Sequence, residues 1–203
     1  MGILTLLRHG ETDYNARSLF QGRTDEPLND VGEEQAKRAA ASIGENRIIA
    51  SPLRAEASSV GGVDRIISSP LKRARKTAEA FGMEPEIDER WIECNFGEWE
   101  GHPISSIDSE KRERYKTDPS YQPPGGESIS EVQQRVFTAL EGLSIGADEH
   151  LLVVTHTLPI KSAFVWVLGA DIPILRTRLS TASYTQIEFS GDERILLNFN
   201  ITS

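Results

Sequence analysis

Three short strand candidates, Ile3–Arg8, Val63–Ser68 and His150–Thr155, each lead towards a residue able to carry chemistry, and helical patterns separate them. Short apolar runs alternating with helical periodicity predict an α/β protein whose sheet is mostly parallel. In such a sheet the carboxyl ends of the strands share one edge, where open α/β proteins hold their ligands. Arg8-His9, Arg73 and His156, far apart in sequence, are therefore expected to converge there. A chain of 203 residues suits one hydrophobic core. The expected fold class is α/β, a single-domain three-layer αβα arrangement with a mostly parallel central sheet.

Local signals mark the intervening elements. Asp30 with Glu33 reads as a helix start that turns Ala36, Ala39, Ala40 and Ile43 inward. Ser69-Pro70 opens a helix reaching Phe81 and closed by Gly82. Ser128 and Glu131 form a capping box before Val132, Val136, Leu140 and Leu143. Another helix begins near Pro159 and runs to Gly169. Ser183–Phe189 and Arg194–Phe199, joined through Gly191-Asp192, predict an antiparallel hairpin. Residues 122–126, Gln-Pro-Pro-Gly-Gly, form a loop within one domain rather than a linker.

A net charge of −9 and a pI near 5.0 argue against nucleic-acid and anionic-membrane partners. A small cationic pocket inside an acidic protein still suits a phosphorylated small molecule. Cys94 is the single cysteine, so an internal disulfide is excluded and a reducing, cytoplasmic setting is expected. Position 100, six residues after Cys94, is Glu rather than the Arg that a cysteine phosphatase loop requires. The four histidines show no metal-ligand spacing, so no metal site is expected.

Arg8-His9-Gly10 carries the clearest chemistry. A histidine beside a fixed cation can attack phosphorus while the arginine neutralises the phosphoryl oxygens. A complication lies in the near-repeat of Ser51-Pro52-Leu53-Arg54-Ala55 and Ser69-Pro70-Leu71-Lys72-Arg73-Ala74, which offers two arginines for one role.

Leu7-Arg8-His9-Gly10-Glu11-Thr12, Ser69–Ala74 with Thr77-Ala78, Glu93–Gly101, Gly125–Ser128 and Val153–His156 occur in an order that resembles the histidine phosphatase superfamily, the group of phosphoglycerate mutases and small phosphatases. The likeness spans almost the whole chain. It implies that His9 is the nucleophile of a phosphohistidine intermediate. It implies also that Arg8, Arg73 and His156 bind the transferring phosphoryl group with help from Asn15. Gln21 and the backbone of Gly22 are expected to contact substrate. The resemblance, through the family's spacing before Phe96-Gly97, implies that Glu93 rather than Glu98 or Glu100 is the proton donor; chemistry alone does not choose among the three. Arg54 lacks the spacer residue and a following Thr-Ala pair, so the resemblance selects Arg73 and leaves 45–62 as an unusual insertion. Thr157 stands where the family often has glycine; its hydroxyl either meets the phosphoryl group or caps the next helix. His102 and His150 are expected to face solvent, and Trp91 and Trp99 to pack in the core, with lining of the pocket as the alternative.

The resemblance implies a metal-independent phosphomonoesterase acting on a small phosphorylated metabolite, with no cofactor. The alternative is a phosphoglycerate mutase requiring 2,3-bisphosphoglycerate. A non-catalytic phospholigand-binding protein is a third reading, disfavoured because every proposed catalytic position is filled.

Overall fold

Strand β1 (Gly2–Arg8) occupies the middle of the sheet because its two faces are both apolar enough to bury. The computed structural model describes residues 1–45, 62–169 and 174–203. Around β1 lie β2 (Arg65–Ser68), β3 (Glu86–Ile87), β4 (His150–Thr155), β5 (Tyr184–Ser190) and β6 (Glu193–Ile201), in the order β3-β2-β4-β1-β5-β6. β1, β2, β3 and β4 run parallel, whereas β5 and β6 form the expected antiparallel hairpin at one side. β4 is buried at all of its positions, as a strand covered on both faces must be.

The two-residue period of the strands sends alternate side chains to opposite cores. Leu4, Leu6, Leu151 and Val153 pack with α5 (Ile129–Glu141) and α6 (Thr157–Leu168) on one face. Leu7, Ile66, Leu152 and Val154 pack with α2 (Asp30–Glu45) and α3 (Lys72–Glu79) on the other. This is the three-layer αβα arrangement. The short α1 (Asp13–Ala16) buries no residue, whereas the charged α4 (Ser109–Thr117) contributes Tyr115 to the first of these cores. Among the described residues, no helix is long and apolar enough to cross a membrane.

Several boundaries move for physical reasons. The Asn29 side chain, not Asp30, accepts the Gly32 N–H at 2.9 Å and so starts α2. Ala36, Ala39 and Ile43 are buried as expected, with Ala40 partly so. Ser69 and Pro70 lie before the helix, Leu71 is its extended N-cap, and regular helix runs Lys72–Glu79, stopping short of the expected Phe81. The Ser128/Glu131 capping box is present in both directions. α6 begins at Thr157, two residues before Pro159, and ends at Gly169 in the left-handed conformation. The proposed insertion at 45–62 and the rival Arg54 fall almost wholly or wholly outside the described residues.

His150 corrects an expectation. It is buried, with Nε2 2.7 Å from the Thr5 hydroxyl and Nδ1 2.9 Å from the Gly62 carbonyl. A position on a central strand leaves no route to solvent, so its polar atoms find partners inside. His102 is exposed, as expected.

Candidate active site

Parallel pairing of β1 with β4 sets Arg8 opposite Thr155, so the residues that follow, His9 and His156, become neighbours. Their ring centroids are 5.1 Å apart, and both side chains are buried. His9 Nδ1 lies 2.7 Å from the Gly10 carbonyl. A carbonyl only accepts, so Nδ1 carries the ring proton and Nε2 keeps its lone pair. Burial first, then the Arg73 and Arg8 charges, hold the His9 pKa well below its ordinary 6.5. The imidazole is therefore neutral near pH 7, the form a nucleophile needs.

The loop behind His9 is clamped. Gly10 N–H donates to the Thr77 hydroxyl at 3.0 Å, and that hydroxyl donates to the Arg73 carbonyl at 2.7 Å. A side chain at Gly10 would meet the Gly32 carbonyl oxygen at 2.3 Å, so glycine lets α2 approach this loop. Thr77, quoted in the sequence only as part of a motif, thus ties α3 to the loop that carries His9.

Arg73 is fully buried, and both terminal nitrogens are held: Nη1 donates to Thr24 O at 2.9 Å and Nη2 to Gly22 O at 2.6 Å. Burial pushes its pKa down to about 10, with the Glu93 and Asp25 charges acting in the opposite sense. Glu100 fixes the supporting turn by accepting from Arg23 N, Phe96 N, Thr24 N and the Thr24 hydroxyl at 2.6–3.0 Å. Gly22 has φ +53°, and a side chain there would lie 1.9 Å from the Glu100 carboxylate. The Gly22 carbonyl orients Arg73.

Asn15 belongs to a capping box with Thr12, and its amide donates to Gln21 Oε1 at 3.3 Å. Arg8 Nη1 donates to Leu179 O at 2.6 Å. Four buried nitrogens at this sheet edge have no partner among the described residues: Arg8 Nε, Arg73 Nε, Gln21 Nε2 and His156 Nδ1. Unsatisfied buried donors are costly, and a shared anionic acceptor relieves that cost.

Glu93 is buried beside these cations. Its carboxylate accepts from Cys94 N at 2.9 Å, Thr157 N at 3.0 Å and Leu158 N at 3.3 Å. Glu98 is exposed and Glu100 serves the Arg73 turn, so the three neighbouring glutamates have three separate environments. A cavity of about 350 Å³ opens onto Arg8, His9, Asn15, Gln21, Arg73 and Glu93. Gly22 and Thr157 border it as well. Trp91 packs in the core, whereas Trp99 both packs there and lines the cavity.

Sequence reasoning missed Phe20 and Tyr115, which with Trp99 add aromatic rings to the cavity lining, and Arg112 and Lys116 of α4, which add two cations. The available signal was Tyr115, a lone large apolar residue in the charged stretch Ser109–Thr117. Among the described residues, no group of three or more His, Cys, Asp and Glu side chains is placed to hold a metal ion.

Comparison with known proteins places the chain in a family. The sequence profile of the histidine phosphatase superfamily (branch 1) matches residues 4–202. A Bacillus subtilis protein named uncharacterized phosphatase PhoE is 30% identical over 209 residues, covering 100% of this chain and 96% of that protein. A protein named probable phosphoglycerate mutase GpmB, from Salmonella paratyphi B, is 33% identical over 198 residues, covering 93% and 85%. A mycobacterial glucosyl-3-phosphoglycerate phosphatase solved with VO3 superposes with a TM-score of 0.83 at 27% identity, covering 100% of both chains. The chain spans 50% of the length of Mycobacterium tuberculosis relatives that it matches at 33% identity. By a profile match that spans nearly its whole length and by these relatives, the chain belongs to branch 1 of the histidine phosphatase superfamily, a family of phosphatases and phosphoglycerate mutases.

Proposed function

We propose that the protein is a metal-independent phosphomonoesterase that works through a phosphohistidine at His9. The observation that carries this reading is the set of unpartnered donors on Arg8, Arg73, Gln21 and His156 around a neutral imidazole. His9 Nε2 attacks phosphorus; the N–P bond forms as the bond to the leaving oxygen breaks. The two arginines and His156 hold the phosphoryl oxygens, with Asn15 and Gln21 completing the cradle. Phosphoryl transfer asks mainly for positioning and charge stabilisation, which these groups supply.

Glu93 gives its proton to the leaving oxygen. It then takes a proton from the water that attacks phosphohistidine, releasing inorganic phosphate and free His9. Thr157 and Gly22 shape the pocket through their backbones. The aromatic rings of the cavity lining, with Arg112 and Lys116, fit a small alcohol portion that carries a second anionic group. A second reading, a phosphoglycerate mutase primed by 2,3-bisphosphoglycerate, draws support from the likeness to the Salmonella protein.

Incubation with a labelled phosphomonoester tests the proposal. The expected result is an acid-labile, base-stable adduct, absent in His9→Ala, that decays to inorganic phosphate with chelator present. A normal adduct in His9→Ala would refute the nucleophile. Discharge of a long-lived adduct by 3-phosphoglycerate into bisphosphoglycerate would establish the mutase.

A further inference from the structure

We infer that Ser69 is a positioning residue for His156: its hydroxyl sets the tautomer that makes Nδ1 an N–H donor to the transferring phosphoryl group. The identity of that acceptor rests on the phosphatase reading; the tautomer is a property of the resting protein.

Ser69 and His156 are both fully buried, and Ser69 Oγ lies 2.7 Å from His156 Nε2. The sheet fixes this approach, because Ser68 pairs with Val154 and Ser69 N–H donates to Val154 O at 3.0 Å. Pro70 has no N–H to offer the hydroxyl. Leu71 N–H, two residues on, reaches Ser69 Oγ at 3.4 Å and takes one of its lone pairs. Among the described residues, His156 Nε2 is the acceptor within reach of the Ser69 hydroxyl hydrogen.

Direction follows from counting hydrogens. Ser69 donates to Nε2, so the one proton of a neutral imidazole resides on Nδ1. In the opposite tautomer, Nε2–H and Leu71 N–H would both point at Ser69 Oγ, and the hydroxyl hydrogen would be stranded. Nδ1 would then meet an anionic oxygen with a lone pair. A doubly protonated ring escapes this conflict, but burial and the Arg73 charge hold the His156 pKa well below 6.5. His156 Nδ1 is itself a buried atom without a partner, as a donor reserved for a ligand would be. One hydroxyl therefore decides whether His156 attracts or repels a phosphoryl oxygen.

The test reads the tautomer directly. Protein labelled with 15N-histidine is examined by long-range 1H–15N correlation, with the His156 signals assigned by their loss in His156→Asn. The expected wild-type result is a neutral ring protonated at Nδ1; protonation at Nε2 overturns the inference whatever the variants do. In Ser69→Ala, the Nε2–H tautomer should appear, and single-turnover phosphoenzyme formation should slow roughly 10- to 100-fold, the order of loss when an imidazole's orienting partner is removed. Substrate KM should change little. Adding Ser69→Ala to His156→Ala should bring no further slowing; a second full loss means Ser69 acts elsewhere. Absence of phosphohistidine in a wild-type protein that keeps the Nδ1–H tautomer would defeat the phosphatase reading and not the Ser69–His156 assignment.

Discussion

Glu93 caps α6 from outside the helix: its Oε2 accepts the Thr157 N–H at 3.0 Å, and its Oε1 accepts the Leu158 N–H at 3.3 Å. Helix N-termini leave N–H groups without intrahelical partners, and the N-cap His156 supplies no side-chain bond to them. One carboxylate thus seats the helix that follows His156 and faces the same cavity as His9.

Glu93→Gln keeps an acceptor for α6 but has no carboxyl proton to give. We expect it to lose up to about 1 kcal/mol of stability, within the range for altered caps. Phosphohistidine formation should slow much more with an alkyl phosphate than with an aryl phosphate, whose leaving group needs less protonation. Rapid-quench assays with both substrates give the comparison. Equal slowing would reduce Glu93 to its capping role.

Arg73→Ala removes a fully buried guanidinium and leaves the Gly22 and Thr24 carbonyls without their donor. The catalytic step should fall by about 10²–10³-fold, the effect of deleting a donor that stabilises transition-state charge. Arg54→Ala, at the rival position, should change kcat little. Comparable losses at both positions in steady-state assays would mean that the near-repeat was assigned the wrong way round.

Stability should decline as pH drops below about 6.5, because His9 and His156 are buried with pKa values held well below that figure. The unfolded chain takes up protons there that the folded chain refuses. The stability present above 6.5 is therefore lost progressively as pH falls towards the folded values. Urea unfolding at pH 7.5 and about 5.5 measures this slope, and His156→Asn should flatten it. An unchanged slope in the variant would place the acid sensitivity elsewhere.

Arg112 and Lys116 line the same cavity as His9, on α4. The double variant Arg112→Ala/Lys116→Ala should raise KM several-fold for phosphomonoesters bearing a carboxylate or second phosphate. For an uncharged leaving group such as a simple alkyl or aryl alcohol, KM should hardly move. A uniform rise across both classes would point to general electrostatic attraction rather than recognition of a second anion.

Much of this molecule was legible before any coordinates. Strand period, helix stripes and the Ser128/Glu131 box are local signals, and they gave the layers and the position of β1, β2 and β4 close to their observed ends. Arg8, His9, Arg73 and His156 could be grouped because parallel strands present their carboxyl ends together. Tertiary structure alone decided the rest, since it depends on which side chains meet across long separations. Asn29 displaced Asp30 as the α2 cap because its oxygen reaches Gly32 N. His150 went inside because β4 is covered on both faces. Of three glutamates within eight residues, Glu93 faces the cavity and bonds residues 157–158, Glu100 holds residues 23–24 and Glu98 is exposed, an outcome that no spacing rule encodes. The sequence by itself determined that the candidate groups follow strands whose carboxyl ends share one edge; packing of distant segments determined which hydrogen-bond partners each group meets there.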